Sequence, residues 1–147
     1  MKKQLIWLPV VLAAVMLTAW SKPLREMIAP EKTVSKNISF AVYTKDNYNT
    51  SIYASASAKL KITIVKVSGD KRNIVWQKQY DARLLNQYPS LEKAVAQNVT
   101  VKNVVDSKDK LEVIYTLTYN DKGSELQLQD GVVVNKGEKE GKLFVNI

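Results

Sequence analysis

From residue 34 onward the chain alternates apolar and polar residues with a period of two. In AKLKITI (58–64), Ala58, Leu60, Ile62 and Ile64 fall on one side, and Lys59, Lys61 and Thr63 on the other. Successive side chains of a strand point to opposite faces, so this pattern builds sheets with one apolar face and leaves little room for helices. The same rhythm recurs in NISFAVY (37–43), NIVWQKQY (73–80), NVTVKNV (98–104), LEVIYTLTY (111–119) and the final KLFVNI, with TSIYASA (50–56) as a further short candidate. Turn chemistry separates them: SGDKR (68–72), DSKDK (106–110), NDKGS (120–124) and NKGEKEG (135–141). Seven to nine short strands with frequent turns predict an all-β antiparallel sandwich with Greek-key connections.

Two places break the rhythm. At Val65 and Val67 the apolar phase slips by one, which one extra residue in that strand, a β-bulge, would explain. Residues 81–97, DARLLNQYPSLEKAVAQ, do not alternate at all. Asp81 and Ser90 are placed to cap short helical turns on either side of Pro89, so the segment reads as a crossover with one or two short helices. In general architecture the pattern looks like immunoglobulin-type modules, with Trp76 in the place of a core tryptophan. The paired cysteines of such domains are missing, and architecture alone licenses no function.

Ahead of the strands, Lys2 and Lys3 precede an uncharged apolar run at 5–20, and Ala19 and Ser21 follow as small residues where signal peptidase needs them. Residues 1–21 are therefore expected to be a signal peptide, 22–33 an extended leader and 34–147 the sandwich domain. The rival reading is a membrane anchor at 5–20. It is disfavoured because sixteen residues interrupted by Pro9 fall short of the ~20 a spanning helix needs. Export to a bacterial periplasm or exterior is the expected localisation, and nucleic acid is then a poor partner.

The chain has no cysteine and no histidine. Thiolate and imidazole zinc sites and Ser-His-Asp or Cys-His nucleophiles are thereby excluded within it, and no cofactor is expected. SLEK (90–93) matches the S-x-x-K of penicillin-binding enzymes but has no companion motif, so a helix cap is the better reading. The acidic turns DSKDK and NDKGSE depart from calcium-loop spacing and read as solvated. Three N-x-S/T sequons, at Asn37, Asn49 and Asn98, are put down to composition. Asp130, in LQLQDGVVVN (126–135), interrupts an apolar row; Asp130-Gly131 is expected to be a bulge or tight turn that carries the carboxylate into water.

Charge supplies the remaining signal. The whole chain carries +8, and loss of residues 1–21 with their two lysines leaves +6. Residues 59–83 hold Lys59, Lys61, Lys66, Lys71, Arg72, Lys78 and Arg83 against Asp70 and Asp81, a net +5. Such lysines protect sheet edges, and they also suit an anionic partner. The expected function is a non-enzymatic interaction module that binds an envelope protein or an anionic cell-surface polymer through this hairpin. A carbohydrate-binding or adhesion module using Tyr43, Tyr48 and Tyr53 around the KDNYNT loop is the alternative. A hydrolase using carboxylates alone comes third.

Overall fold

In a computed structural model of the protein, residues 31–147 are described. The expected signal peptide and leader lie outside the described residues, save for the leader's last three positions, of which Thr33 opens the first strand.

Among the described residues, alternation becomes eight strands: β1 (Thr33–Tyr43), β2 (Ser57–Ser68), β3 (Lys71–Gln79), β4 (Arg83–Leu84), β5 (Gln97–Val105), β6 (Asp109–Asp121), β7 (Ser124–Val134) and β8 (Glu140–Asn146). They form two sheets, a three-stranded one in the order β5-β1-β8 and a larger one in the order β3-β2-β6-β7. β4 pairs with the start of β2, on the edge that β3 occupies further along. Pairing is antiparallel except between β1 and β8, which run parallel. The apolar faces meet in one core that includes Ile38, Phe40, Leu60, Ile62, Ile64, Val113, Leu117 and Val145. Trp76 packs on Phe40 from the opposite sheet, with ring centroids 5.8 Å apart. The turn from β6 to β7 places Lys122 and Gly123 both at positive φ, the backbone that matches strand twist in a two-residue hairpin.

Several local expectations are corrected. Residues 50–56 are no strand; Ser51–Tyr53 form one 3-10 turn. The crossover holds two single 3-10 turns, Leu85–Gln87 and Leu91–Lys93, and Ser90 makes no side-chain cap. The phase slip at Val65 does not bulge β2, whose register against β6 runs unbroken from Ser57 to Ser68. The extra residue is Val75, in β3. Val65 and Val67 point to the outer face, where the Arg72–Glu112 ion pair crosses them. Both are buried on that face, where the register sets Val65 between Ile74 and Glu112 and Val67 beside Arg72.

Asp130 and Gly131 form neither bulge nor turn. β7 pairs with β6 without a register shift, Tyr115 opposite Asp130 and Ile114 opposite Gly131, and Gly131 does not adopt positive φ. Asp130 is exposed because β7 is an edge strand whose inner face is uncovered there; Leu126 and Leu128 on the same row are 59% and 49% exposed. Glycine is required for a different reason: a Cβ at 131 would run into the Val113 carbonyl oxygen and lie 3.0 Å from the Ile114 Cα. Gly131→Ala should therefore destabilise the fold by about 1–3 kcal/mol through overpacking. Asp130→Asn should cost less than about 0.5 kcal/mol, as exposed changes do. Urea denaturation of the two variants checks the order; equal midpoints would refute the close approach.

Candidate functional site

After Gln79 the chain leaves the β3 edge. The Tyr80 N–H still reaches the Leu60 carbonyl at 2.8 Å, β4 follows, and the Leu85 N–H bonds to the Ala56 carbonyl at 3.0 Å. Leu85 is buried and pins this segment to the larger sheet. The chain then crosses to the smaller sheet: the Thr44 N–H bonds to the Pro89 carbonyl at 2.9 Å, and Thr44 bridges Ser90. Residues 80–97 thus close one open side of the sandwich, and polar loop residues line what they leave unfilled.

Two cavities result. The first, about 250 Å³, has Val42 and Leu60 beneath it, Tyr80 and Tyr88 beside it, and Asp81, Arg83, Lys93 and Gln97 among its polar lining. The Tyr80 hydroxyl donates to the Gln97 Oε1 at 2.8 Å, and the Tyr88 hydroxyl to the Ala58 carbonyl at 2.9 Å, so both rings are held in place. Burial pushes both tyrosine hydroxyls above their ordinary value, and nearby Arg83 partly opposes this at Tyr88. The second cavity, about 280 Å³, lies between residues 44–49 and 85–90 and is lined by Thr44, Asp46, Asn47, Tyr48, Asn49, Asn86 and Ser90. Tyr88 lines both. The KDNYNT loop is held by its own side chains. The Asp46 N–H donates to Thr44 Oγ1 at 3.1 Å, the Asn49 N–H to Asn47 Oδ1 at 3.1 Å, and the Tyr48 hydroxyl to the Ile147 carbonyl at 3.2 Å.

The tyrosine candidates separate. Tyr43 is buried and corrects the expectation of an exposed contact. Tyr48 is half-buried and packs edge-on against exposed Tyr53, centroids 5.1 Å apart. The cationic candidates also separate, because alternate strand residues face opposite ways. Lys59 and Lys61 share the outer face of the interior strand β2. Lys66, on the other face, donates to the Asn103 carbonyl at 3.3 Å and lies 3.8 Å from Asp109. Lys71 is exposed at the hairpin turn, Arg72 pairs with Glu112, and Lys78 sits 4.7 Å over the Tyr80 ring. Arg83 is the one member of the set that lines the first cavity. Tyr88 and Asn86 belong to no sequence motif, and Lys93 enters one only as the last residue of SLEK, read as a helix cap. The usable signal was a tyrosine beside proline among amides, in the longest non-alternating stretch.

The DSKDK turn is not solvated throughout. Asp109 is buried, accepts from Ser68 Oγ, and takes the Val105 N–H at 2.8 Å. Asp106 pairs at 2.9 Å with Lys36 Nζ, which also donates to the Asn135 carbonyl at 2.6 Å. Lys36 is fully buried, so β1 is tied to two turns at once. No group of three or more metal-ligating side chains occurs among the described residues, and each cavity carries a single carboxylate.

Comparison with protein-family models, curated proteins and solved structures gives no match.

Burial pushes the Asp109 carboxyl up, but its bonds from Ser68 and Val105 and the charge of Lys66 outweigh this and leave it below its ordinary value. Asp106 is lowered too, chiefly by its bond from Lys36. A depressed folded value stabilises the protein above the unfolded value of about 3.9 and is lost as pH falls through the folded one. Denaturation midpoints should therefore drop below about pH 4. Asp109→Ala should cost about 1–3 kcal/mol at neutral pH by orphaning the Val105 N–H, and should flatten the acid decline. An unchanged decline in that variant would remove Asp109 from the acid response.

Proposed function

We propose that this chain is an exported, non-enzymatic binding module of the bacterial envelope or secreted fraction, which holds an anionic cell-surface polymer in the cleft between residues 44–49 and 80–97. The observation that carries this reading is the pair of adjoining cavities that share Tyr88. Ligand sites are concave, with a few polar groups converging on an apolar lining; the first cavity has that make-up, and the second extends it with a polar lining. Amides and hydroxyls in one, with Arg83 and Lys93 in the other, suit a chain of hydroxylated, negatively charged units. The sandwich beneath is read as immunoglobulin-like, on the support of Trp76 packing into the core against Phe40.

A second reading keeps the basic hairpin as a docking face for an envelope protein or an anionic surface. Its support is the pair Lys59 and Lys61, exposed on a sheet face among Thr116, Thr118, Gln127 and Gln129. Against it, Arg72 and Lys66 are engaged within the fold, and the set is divided between two faces.

The two readings give opposite results in one experiment. Binding of the full-length protein to purified envelope polysaccharide should weaken at least tenfold, about 1.4 kcal/mol, when Asn49 and Asn86 are both changed to Ala. Lys59→Glu with Lys61→Glu should leave it nearly unchanged. The reverse pattern would favour the hairpin, with salt weakening the interaction as it does for exposed charges. Export has its own test: the exported protein should begin near Lys22 by intact mass, and retention of Met1 in the membrane fraction would defeat the signal-peptide reading.

A further inference from the structure

We infer that the cavity beside Arg83 is a subsite for one carboxylated sugar ring, with the neighbouring hydroxylated unit of the same polymer held in the cavity beside the KDNYNT loop. This rests on the reading of the cleft as a polymer site and adds the chemistry of the unit it selects. At about 250 Å³ the Arg83 cavity suits a single ring. Larger ligands occupy roughly 300–1,000 Å³.

Charge sets the sign of the ligand. Arg83 has no ion-pair partner within the described residues, and neither has Lys93, while Arg72 and Lys66 of the same hairpin are paired internally. Two cations face the cavity against the one carboxylate of Asp81. A guanidinium takes a carboxylate through two parallel hydrogen bonds, a planar match that a phosphate-free acidic sugar provides. Asp81 can accept from the several hydroxyls that a sugar ring presents and that an unsubstituted carboxylate lacks.

Shape sets the rest. Val42 and Leu60 give the cavity an apolar base, and the rings of Tyr80 and Tyr88 are fixed by their own hydrogen bonds. Immobilised aromatic rings offer faces to the C–H side of a pyranose at little entropic cost. Beyond Tyr88, the second cavity turns to Asn47, Asn49, Asn86 and Ser90, neutral donors and acceptors, with Lys45 and Asp46 offsetting each other in charge. An acidic peptide would satisfy Arg83 and can bond to that array through its backbone, but it offers no C–H ring face to the fixed tyrosine rings. A sugar acid linked to a further hydroxylated ring satisfies both cavities.

Titration calorimetry of the full-length protein tests this with three probes: an oligogalacturonide, its carboxyl-reduced neutral counterpart, and a glutamate peptide of equal charge. The acidic sugar should bind at least about tenfold tighter than the other two. Arg83→Gln should abolish that preference and Arg83→Lys should keep part of it, with thermal melts confirming that both variants fold. Equal binding of acidic and neutral sugars, still sensitive to Asn49 and Asn86, would overturn the subsite and leave the cleft reading standing. A glutamate peptide bound as tightly as the sugar would overturn the subsite too. Binding of no sugar by a folded protein would overturn both.

Discussion

Three strands have to cover four. The larger sheet is four strands wide, because β3 and β4 share one edge of β2, and the smaller sheet is three wide. With neighbouring strands about 4.8 Å apart, the smaller layer cannot hide the whole inner face of the larger one. The middle is well served: Leu60, Ile62, Ile64, Leu111, Val113 and Leu117 from β2 and β6 are all buried beneath it. Each such side chain contributes roughly 1.5–3 kcal/mol when withdrawn from water. The margins differ. On the β3 side the crossover 80–97 completes the cover with loop rather than sheet, and cavities remain beneath it. On the β7 side Leu126 and Leu128 stay exposed.

The cover by loop has to be held in place without disulfides, since the chain has no cysteine. Backbone bonds do part of this. Thr44 to Pro89 links the end of β1 to the crossover, and Leu85 to Ala56 links the crossover to the larger sheet. At the opposite end of the core, buried Lys36 draws together β1, the β5–β6 turn and the β7–β8 turn. Only the lysine is buried, its Asp106 partner being 37% exposed, and the cost of desolvating that ammonium offsets much of the attraction. Removing one partner strands the other charge and is costly, so such a pair fixes which turns meet more than how firmly they hold.

How much of this could be read from the residues follows from the physics of each signal. Alternation reports which side of a strand meets apolar surroundings, so the strands, their turns and the two-sheet class were legible. It does not report which apolar surface provides the cover. Val65 reads as a slip in β2 because it is buried on the outer face, in register between Ile74 and Glu112, and the bulge that exists lies in β3 at Val75. Asp130 looked out of place because the row it shares with Leu126 and Leu128 was assumed to be covered, and it is not. Tyr43 belongs by parity with the outward residues of β1, yet it is buried. In the candidate site only Arg83 and Tyr48 had been singled out, since a cavity lined by a loop has no period to announce it.

A run of charge along a strand is therefore not a surface. Lys59 and Lys61, two residues apart, share a face, whereas Lys66, an odd number of residues on, faces the other way and spends its charge on Asp109 and the Asn103 carbonyl. What concentrates free charge beside apolar and aromatic groups is the departure from the strand at Tyr80, which carries Arg83 over the open margin of the core. The walls of the cleft come from segments distant in sequence, and of the two residues joined by the Thr44–Pro89 bond, Pro89 lines the first cavity and Thr44 the second. Backbone bonds set where the two segments meet, and side-chain bonds from Tyr48, Tyr80 and Tyr88 fix the rings that line the cleft.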